Sequence, residues 1–401
     1  MMSKPKRVIG AVLVIAALAV GGVTAYHNSS ARYTPAAFSK SEMLAALWSK
    51  YRVEYIEPAS GRVLDKQQQN ITTSEGQSYA MLRAVWQDDR PTFDRVWRFT
   101  REQLRRPDDH LFSWKFGQRS DGSYGVLVDQ GGQNTASDAD SDIALSLVMA
   151  YGRWQQSSYL QQAKPIISDI WSKEVVTVRG RPLLVADNQE QGQHQVLVNP
   201  SYLAPYAYRA FANVDTSHDW TSLVASSYDF IDQTVTQSLD RPTSAGLPPN
   251  WVRVDTSTGA FTPSAAPLTT DFGYDALRLP WRLALDDRWN DEPRAAKVLQ
   301  HMSFLRDAWR RSGSLAATYA HDGANPAGYE SAVMYGGTIG YFLTADQADA
   351  AAVYDAKLKS LYDPDTQAWR SPLSYYDDNW AWFGIGLYQG ALPDLAHGVG
   401  A

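Results

Sequence analysis

The feature that most limits the fold is a 3.6-residue apolar period that restarts about a dozen times along the chain. In FSKSEMLAALWSKY, from Phe38 to Tyr51, the apolar residues Met43, Leu44, Leu47 and Trp48 share one helical face. The period returns from Ser78 to Trp86, Phe93 to Leu104, Ile143 to Trp154, Tyr159 to Trp171, Tyr202 to Phe211 and Trp220 to Thr236. It continues from Tyr274 to Leu285, Glu292 to Ser312, Glu330 to Phe342, Ala345 to Leu361 and Trp380 to Tyr388. A few short segments, such as Val175 to Val178 and Leu183 to Val185, read as extended. About twelve helices make six helical hairpins, which build either an open solenoid or a closed double ring. A solenoid repeats its sequence at a fixed period, and no such repeat is present, so an all-α closed double ring is expected.

The start of the chain reads differently. Lys4, Lys6 and Arg7 precede VIGAVLVIAALAVGGVTA, Val8 to Ala25, which carries no charge. A basic stretch before such a run is an export signal, and Val23-Thr24-Ala25 resembles a small-residue cleavage site. The run is also close to the roughly 20 residues that cross a bilayer, so residues 1–25 are expected as a signal peptide or an N-terminal membrane anchor. Either way the folded body is exported, periplasmic or extracellular. Residues 26–33 then read as a linker, 34–395 as one domain and 396–401 as a tail.

Zero cysteines remove disulfides and thiolate chemistry. The seven histidines have no metal-ligand spacing, so no metal or other cofactor is expected. A net charge of -6 without a basic stripe argues against nucleic acid as a partner. Trp 14 and Tyr 22 are high counts, and such rings either pack a core or stack against a ligand.

Three polar segments stand where helices begin: ITTSEGQSYA around Glu75, ASDADSDI from Ala136 to Ile143, and DFGYDALRLPW from Asp271 to Trp281. In a ring of hairpins the starts of alternate helices gather on one face, so these carboxylates have a route to a common cleft. The same residues also fit a structural role. Thr72 with Glu75, and Ser137 with Asp140, have capping-box spacing, and acids suit the helix dipole. On the residues alone, capping and carboxylate-pair hydrolysis both stand.

A resemblance favours the second. ASDADSDIALSLVMAYGRW, Ala136 to Trp154, resembles the signature of glycoside hydrolase family 8 at every specified position. TTSEGQSYAM resembles the segment with that family's proton donor, and YDALRLPWR the segment with its base. NPSYL, NWVR and EVVTV are similar to segments of endoglucanases from bacterial cellulose-synthesis operons. The resemblance implies an (α/α)6 barrel and inverting endo-hydrolysis of a β-1,4-glucan, cellulose by preference, with xylan, chitosan and mixed-linkage glucan as family alternatives. A catalytically inactive glycan-binding protein is the alternative outside enzymes. The resemblance makes Glu75 the general acid and Asp275 the general base, and sets Asp138 against the sugar whose bond breaks. Tyr274 and Arg278 flank the base, and Trp114 is similar to a sugar platform. Tyr202 and Trp251 are further aromatic candidates for sugar stacking. The role of Asp271 stays open. Arg278, three residues beyond Asp275, is placed to keep the base ionised. A monomer is expected, with an association with cellulose synthase implied by the operon likeness.

Overall fold

The computed structural model describes residues 41–400. The expected export segment at 1–25 and the linker at 26–33 lie outside the described residues. Among the described residues no helix is long and apolar enough to cross a membrane.

The helices in chain order are α1 (Glu42–Tyr55), α2 (Ser74–Trp86), α3 (Arg90–Phe99), α4 (Ser137–Trp154), α5 (Ser157–Glu174), α6 (Pro205–Val214) and α7 (Trp220–Thr236). They continue as α8 (Arg278–Asn290), α9 (Pro293–His301), α10 (Ser303–Ser312), α11 (Ala332–Ala345), α12 (Gln347–Val353) and α13 (Tyr375–Tyr388). Helices α2, α4, α6, α8, α11 and α13 pack in sequence as an inner ring. The ring closes where α2 meets α13. There Arg83 Nη1 donates to Asp378 Oδ1 (2.9 Å) and Asn379 Oδ1 (3.0 Å), and Tyr79 stands edge-on to Trp380 and Phe383. An outer helix backs each inner one: α3 on α2, α5 on α4, α7 on α6, α9 on α8, α12 on α11 and α1 on α13. This is the (α/α)6 barrel.

Sequence separates the two layers. Outer helix α3 buries Phe93, Val96 and Trp97 and exposes Asp94 and Arg98, an amphipathic pattern. Inner helix α2 has no polar face, and every residue in it except Glu75 is buried. Glycine lets the inner helices approach: a Cβ on Gly336 of α11 would sit 2.1 Å from the carbonyl oxygen of Trp380 on α13.

The expected helix from Tyr202 to Phe211 begins instead at Pro205, which occupies a first-turn position where its missing N–H costs nothing. The stretch read as one helix from Glu292 to Ser312 breaks at Met302 into α9 and α10. The expected helix from Tyr274 starts only at Arg278, so Asp275 lies in the preceding turn. Residues 396–400, expected as a tail, belong to the packed body, because Ala396 and Val399 are buried in the core.

Short strands decorate the ring. Strands β1 (Thr72–Thr73), β2 (Lys115–Gln118) and β3 (Tyr124–Val126) form an antiparallel sheet, with Thr73 opposite Lys115. The expected pair is a hairpin, β4 (Val175–Val178) with β5 (Arg181–Leu184). Its two-residue turn, Arg179-Gly180, has positive φ at both positions, as a tight hairpin turn requires. Strands β6 (Gln195–Val198), β7 (Val252–Asp255) and β8 (Phe261–Pro263) make a second three-stranded sheet.

Candidate active site

The three acidic segments do meet, and a single cation joins them. Arg278, the first residue of α8, is 1% exposed. Its Nη1 donates to Glu75 Oε2 and to Asp138 Oδ2, both at 2.9 Å, and its Nη2 donates to Asp275 Oδ1 at 3.2 Å. Its Nε is held by Ser201 Oγ (3.2 Å) and the Asp275 carbonyl (3.0 Å). The planar fork of a guanidinium suits this task, since it presents fixed donors and no acceptor.

Each carboxylate is delivered by its own local structure. Strand β1 runs into α2, and Thr73 Oγ1 caps the helix by accepting from Gly76 N at 3.0 Å. Glu75 thus stands in the first helical turn with its side chain a quarter exposed. Residue 76 must be small, because a Cβ there would lie 2.9 Å from Tyr375 Oη. That space lets the Tyr375 hydroxyl donate to Glu75 Oε1 at 3.3 Å. Asp138 sits in the first turn of α4 with its side chain 3% exposed, and its Oδ1 accepts from Ala139 N. Asp275 projects from the turn before α8 and is 36% exposed. Asn250 Oδ1 accepts from Ala276 N (2.9 Å) and so fixes that turn, while Trp251 Nε1 donates to Asp275 Oδ2 (3.0 Å).

The capping boxes expected at Thr72/Glu75 and Ser137/Asp140 are absent. Thr73 is the cap of α2. Thr72 is turned inward, donating to the Val63 carbonyl and accepting from Arg62 Nε. Ser137 Oγ donates to the Val185 carbonyl, and α4 has no side-chain cap. Glu75 and Asp140 are therefore free of the structural duty their spacing suggested.

Glu75 and Asp275 line one open cavity of about 230 Å³ together with Asp65, Gln68, Thr73, Tyr274, Tyr375 and Tyr376. Tyr274 is exposed at its rim, with its hydroxyl 3.3 Å from that of Tyr329 and its carbonyl accepting from Tyr376 (2.7 Å). Tyr202 lies below, with the Arg278 guanidinium 5.1 Å from its ring centroid and Trp251 edge-on to it at 5.5 Å. Trp114 is outside the cavity lining. It touches the site through its backbone, where its carbonyl accepts from Ser74 N (3.0 Å), and its half-buried ring lies 5.2 Å from Lys115 Nζ. The Asp271 carboxylate pairs with Arg241 at 3.6 Å.

Burial pushes the Glu75 carboxyl up to about 7; Arg278 opposes this, and the charges of Asp138 and Asp275 add to it. Burial also raises Asp138, against Arg278 and Arg282. One turn further along both helices, Arg282 makes a bidentate pair with Asp142 (3.0 and 2.8 Å). The bridging role of Arg278 was not evident from the sequence, which put it beside Asp275 only. The i, i+4 repeat of 138/142 and 278/282 is the signal that could have paired α4 with α8.

Paired carboxylates at the edge of one open cleft, set at the helix starts of a six-hairpin barrel, are the equipment that hydrolysis of a glycosidic bond uses. Residues 24–363 match the model of Glycosyl hydrolases family 8, and the chain belongs to that family. It is 31% identical over 283 residues to Endoglucanase 2 of Ruminiclostridium josui, covering 69% of this chain and 56% of that protein, so it spans about half of that relative's length. It is 31% identical over 266 residues to a probable endoglucanase of Novacetimonas hansenii, covering 65% of this chain and 72% of that protein. Among solved structures, the endo-1,4-D-glucanase of Vibrio fischeri ES114 superposes with a TM-score of 0.72 at 26% identity, covering 86% of this chain and 94% of that one.

Proposed function

We propose that the chain is an inverting endo-β-1,4-glucanase acting on cellulose-type glucan, with Glu75 as general acid and Asp275 as general base. One observation carries this reading: a single buried guanidinium holds both carboxylates at the edge of one open cavity. The shared guanidinium brings the two carboxylates to one cleft, and inversion requires them to stand roughly 6.5–9.5 Å apart so that a water fits between base and sugar.

The proton inventory follows from the contacts. Arg278 donates to Glu75 Oε2 and cannot accept, so the acid's proton belongs on Oε1, where the Tyr375 hydroxyl turns to accept it. From there it passes to the glycosidic oxygen as the bond to the anomeric carbon breaks. A water attacks that carbon from the opposite face, and Asp275 takes the water's proton. The new C–O bond has inverted configuration. Solvent then returns a proton to Glu75 and removes one from Asp275. Asp138 and Arg278 compensate charge under the reacting sugar, while Tyr274, exposed at the cavity rim, offers ring surface to glucose. The basic residues ahead of the uncharged run at 8–25 support export of the folded body.

Reducing-end release from carboxymethylcellulose tests the reading. Glu75→Gln and Asp275→Asn are each expected to lower kcat by about 10²–10⁴-fold. Wild-type rates in both variants would remove the proposal.

A further inference from the structure

Asp275 is held at both oxygens, and only one of the two donors comes from the adjoining helix α8. Arg278 Nη2 reaches Oδ1 at 3.2 Å, and Trp251 Nε1 reaches Oδ2 at 3.0 Å from a segment 24 residues away in sequence. Two donors on separate oxygens fix the plane of a carboxylate, whereas one leaves it free to turn about its last torsion. The indole is suited to this because it donates only and cannot take the proton the base must receive.

Trp251 is itself firmly placed. Its backbone N–H donates to the Thr269 carbonyl (3.0 Å), and its ring stands edge-on to Tyr202 at 73°. The residue before it, Asn250, donates its N–H to the Asp271 carbonyl (2.8 Å) and accepts from Ala276 N (2.9 Å). The consecutive pair Asn250-Trp251 therefore grips the turn twice, once by its backbone and once by its carboxylate. An aromatic ring turned edge-on to Tyr202 with its N–H spent on Asp275 is a poor free platform for sugar.

We infer that Trp251 is a positioning residue that fixes the Asp275 carboxylate toward the attacking water, and not a sugar-stacking platform. This rests on the assignment of Asp275 as base. The charged groups around Asp275 are Arg278, Glu75 and Asp138, with the hydroxyls of Tyr202 and Tyr376 nearby.

Trp251→Phe keeps a ring and deletes the donor. It is expected to lower kcat on soluble cellulose derivatives about 10-fold or more with KM within about twofold, since the lost contact acts on the chemistry and not on ground-state binding. Trp251→His, which can donate through its ring, recovers part of kcat. A rise in KM with unchanged kcat would make Trp251 a platform and overturn the inference, as would an unaltered enzyme. A measurement on stable protein covers the case where both variants misfold: the Trp251 indole N–H resonance of the wild type should shift on Asp275→Asn, while indoles away from the cleft stay put. An unshifted Trp251 signal overturns the inference. Asp275→Asn also separates the two ideas. If that variant stays active, the base assignment fails and the positioning role with it. If it is inactive while Trp251→Phe behaves as wild type, only the positioning role fails.

Discussion

Two acids in the first turn of α4 meet opposite fates. Asp138 and Asp140 are both buried, two residues and so about 200° apart around the helix. Asp138 faces the ring interior and the buried cation Arg278. Asp140 faces the outer layer, where its Oδ1 accepts from Phe112 N (3.0 Å) and its carboxyl group lies near Glu174, the last residue of α5. Glu174 is also fully buried, and neither acid of this second pair has a cation in hydrogen-bond contact. Burial raises both, Glu174 to about 8 with the neighbouring charges of Asp187 and Asp138 adding to it, so the pair keeps at least one proton at neutral pH. Burial alone thus does not decide whether an acid is charged. A cation at hydrogen-bond range opposes the effect of burial on the first cluster, and its absence leaves the second a structural clasp that holds protons to higher pH.

The strongest way to break the contrast is to turn the first cluster into the second. Arg278→Met leaves Glu75, Asp138 and Asp275 together without their common donor. Activity on carboxymethylcellulose is expected to fall by about 10²–10³-fold, as for loss of a preorganised charge in an active site. Thermal unfolding should report a loss of about 3–5 kcal/mol, the usual result of removing one partner of a buried ion pair. Near-normal activity would show that the cation is incidental.

The clasp predicts a pH dependence of stability. Glu174 ionises at lower pH unfolded, near 4.5, than folded, near 8, so across that window the folded state holds the extra proton. Its contribution to stability is full below about 4.5 and is lost as pH rises through about 8, at no more than about 1.4 kcal/mol per pH unit for one proton. Glu174→Gln should flatten urea-unfolding midpoints over this range and leave kcat unaltered. Superposed wild-type and variant profiles would mean that Glu174 titrates alike in the folded and unfolded chain.

The raised Glu75 acts on rate. The acid must carry its proton, so kcat/KM is expected to fall as pH rises through about 7, and that limb should vanish in Glu75→Gln. The smallest expected effect concerns the corrected cap. Thr73→Ala removes the acceptor for Gly76 N and should cost about 1 kcal/mol in unfolding free energy.

What could be read beforehand follows physical lines. The ring was legible because outer helices such as α3 bury one stripe and expose the other, and that period is local. Helix starts were not. The first turn of α2 is Ser-Glu-Gly-Gln, buried although polar, so an apolar period places the helix at Ser78, four residues late. The three acidic segments were found at the right helix ends, but their joining by Arg278 depends on α4 and α8 facing each other across the ring, which periodicity does not encode. The Trp251–Asp275 contact needs the chain to fold back between β7 and α8. Glu174 lies three residues beyond the expected helix end at Trp171, and its burial comes from tertiary packing that no local period encodes.

If Glu75 and Asp275 act from opposite sides of the scissile bond with a water between base and sugar, the anomeric centre inverts. Proton NMR of a cello-oligosaccharide digest, recorded before mutarotation, reads this directly. Inversion predicts the α-anomer as the first new reducing end. The β-anomer appearing first would mean that a carboxylate attacks the sugar itself, and would contradict the account.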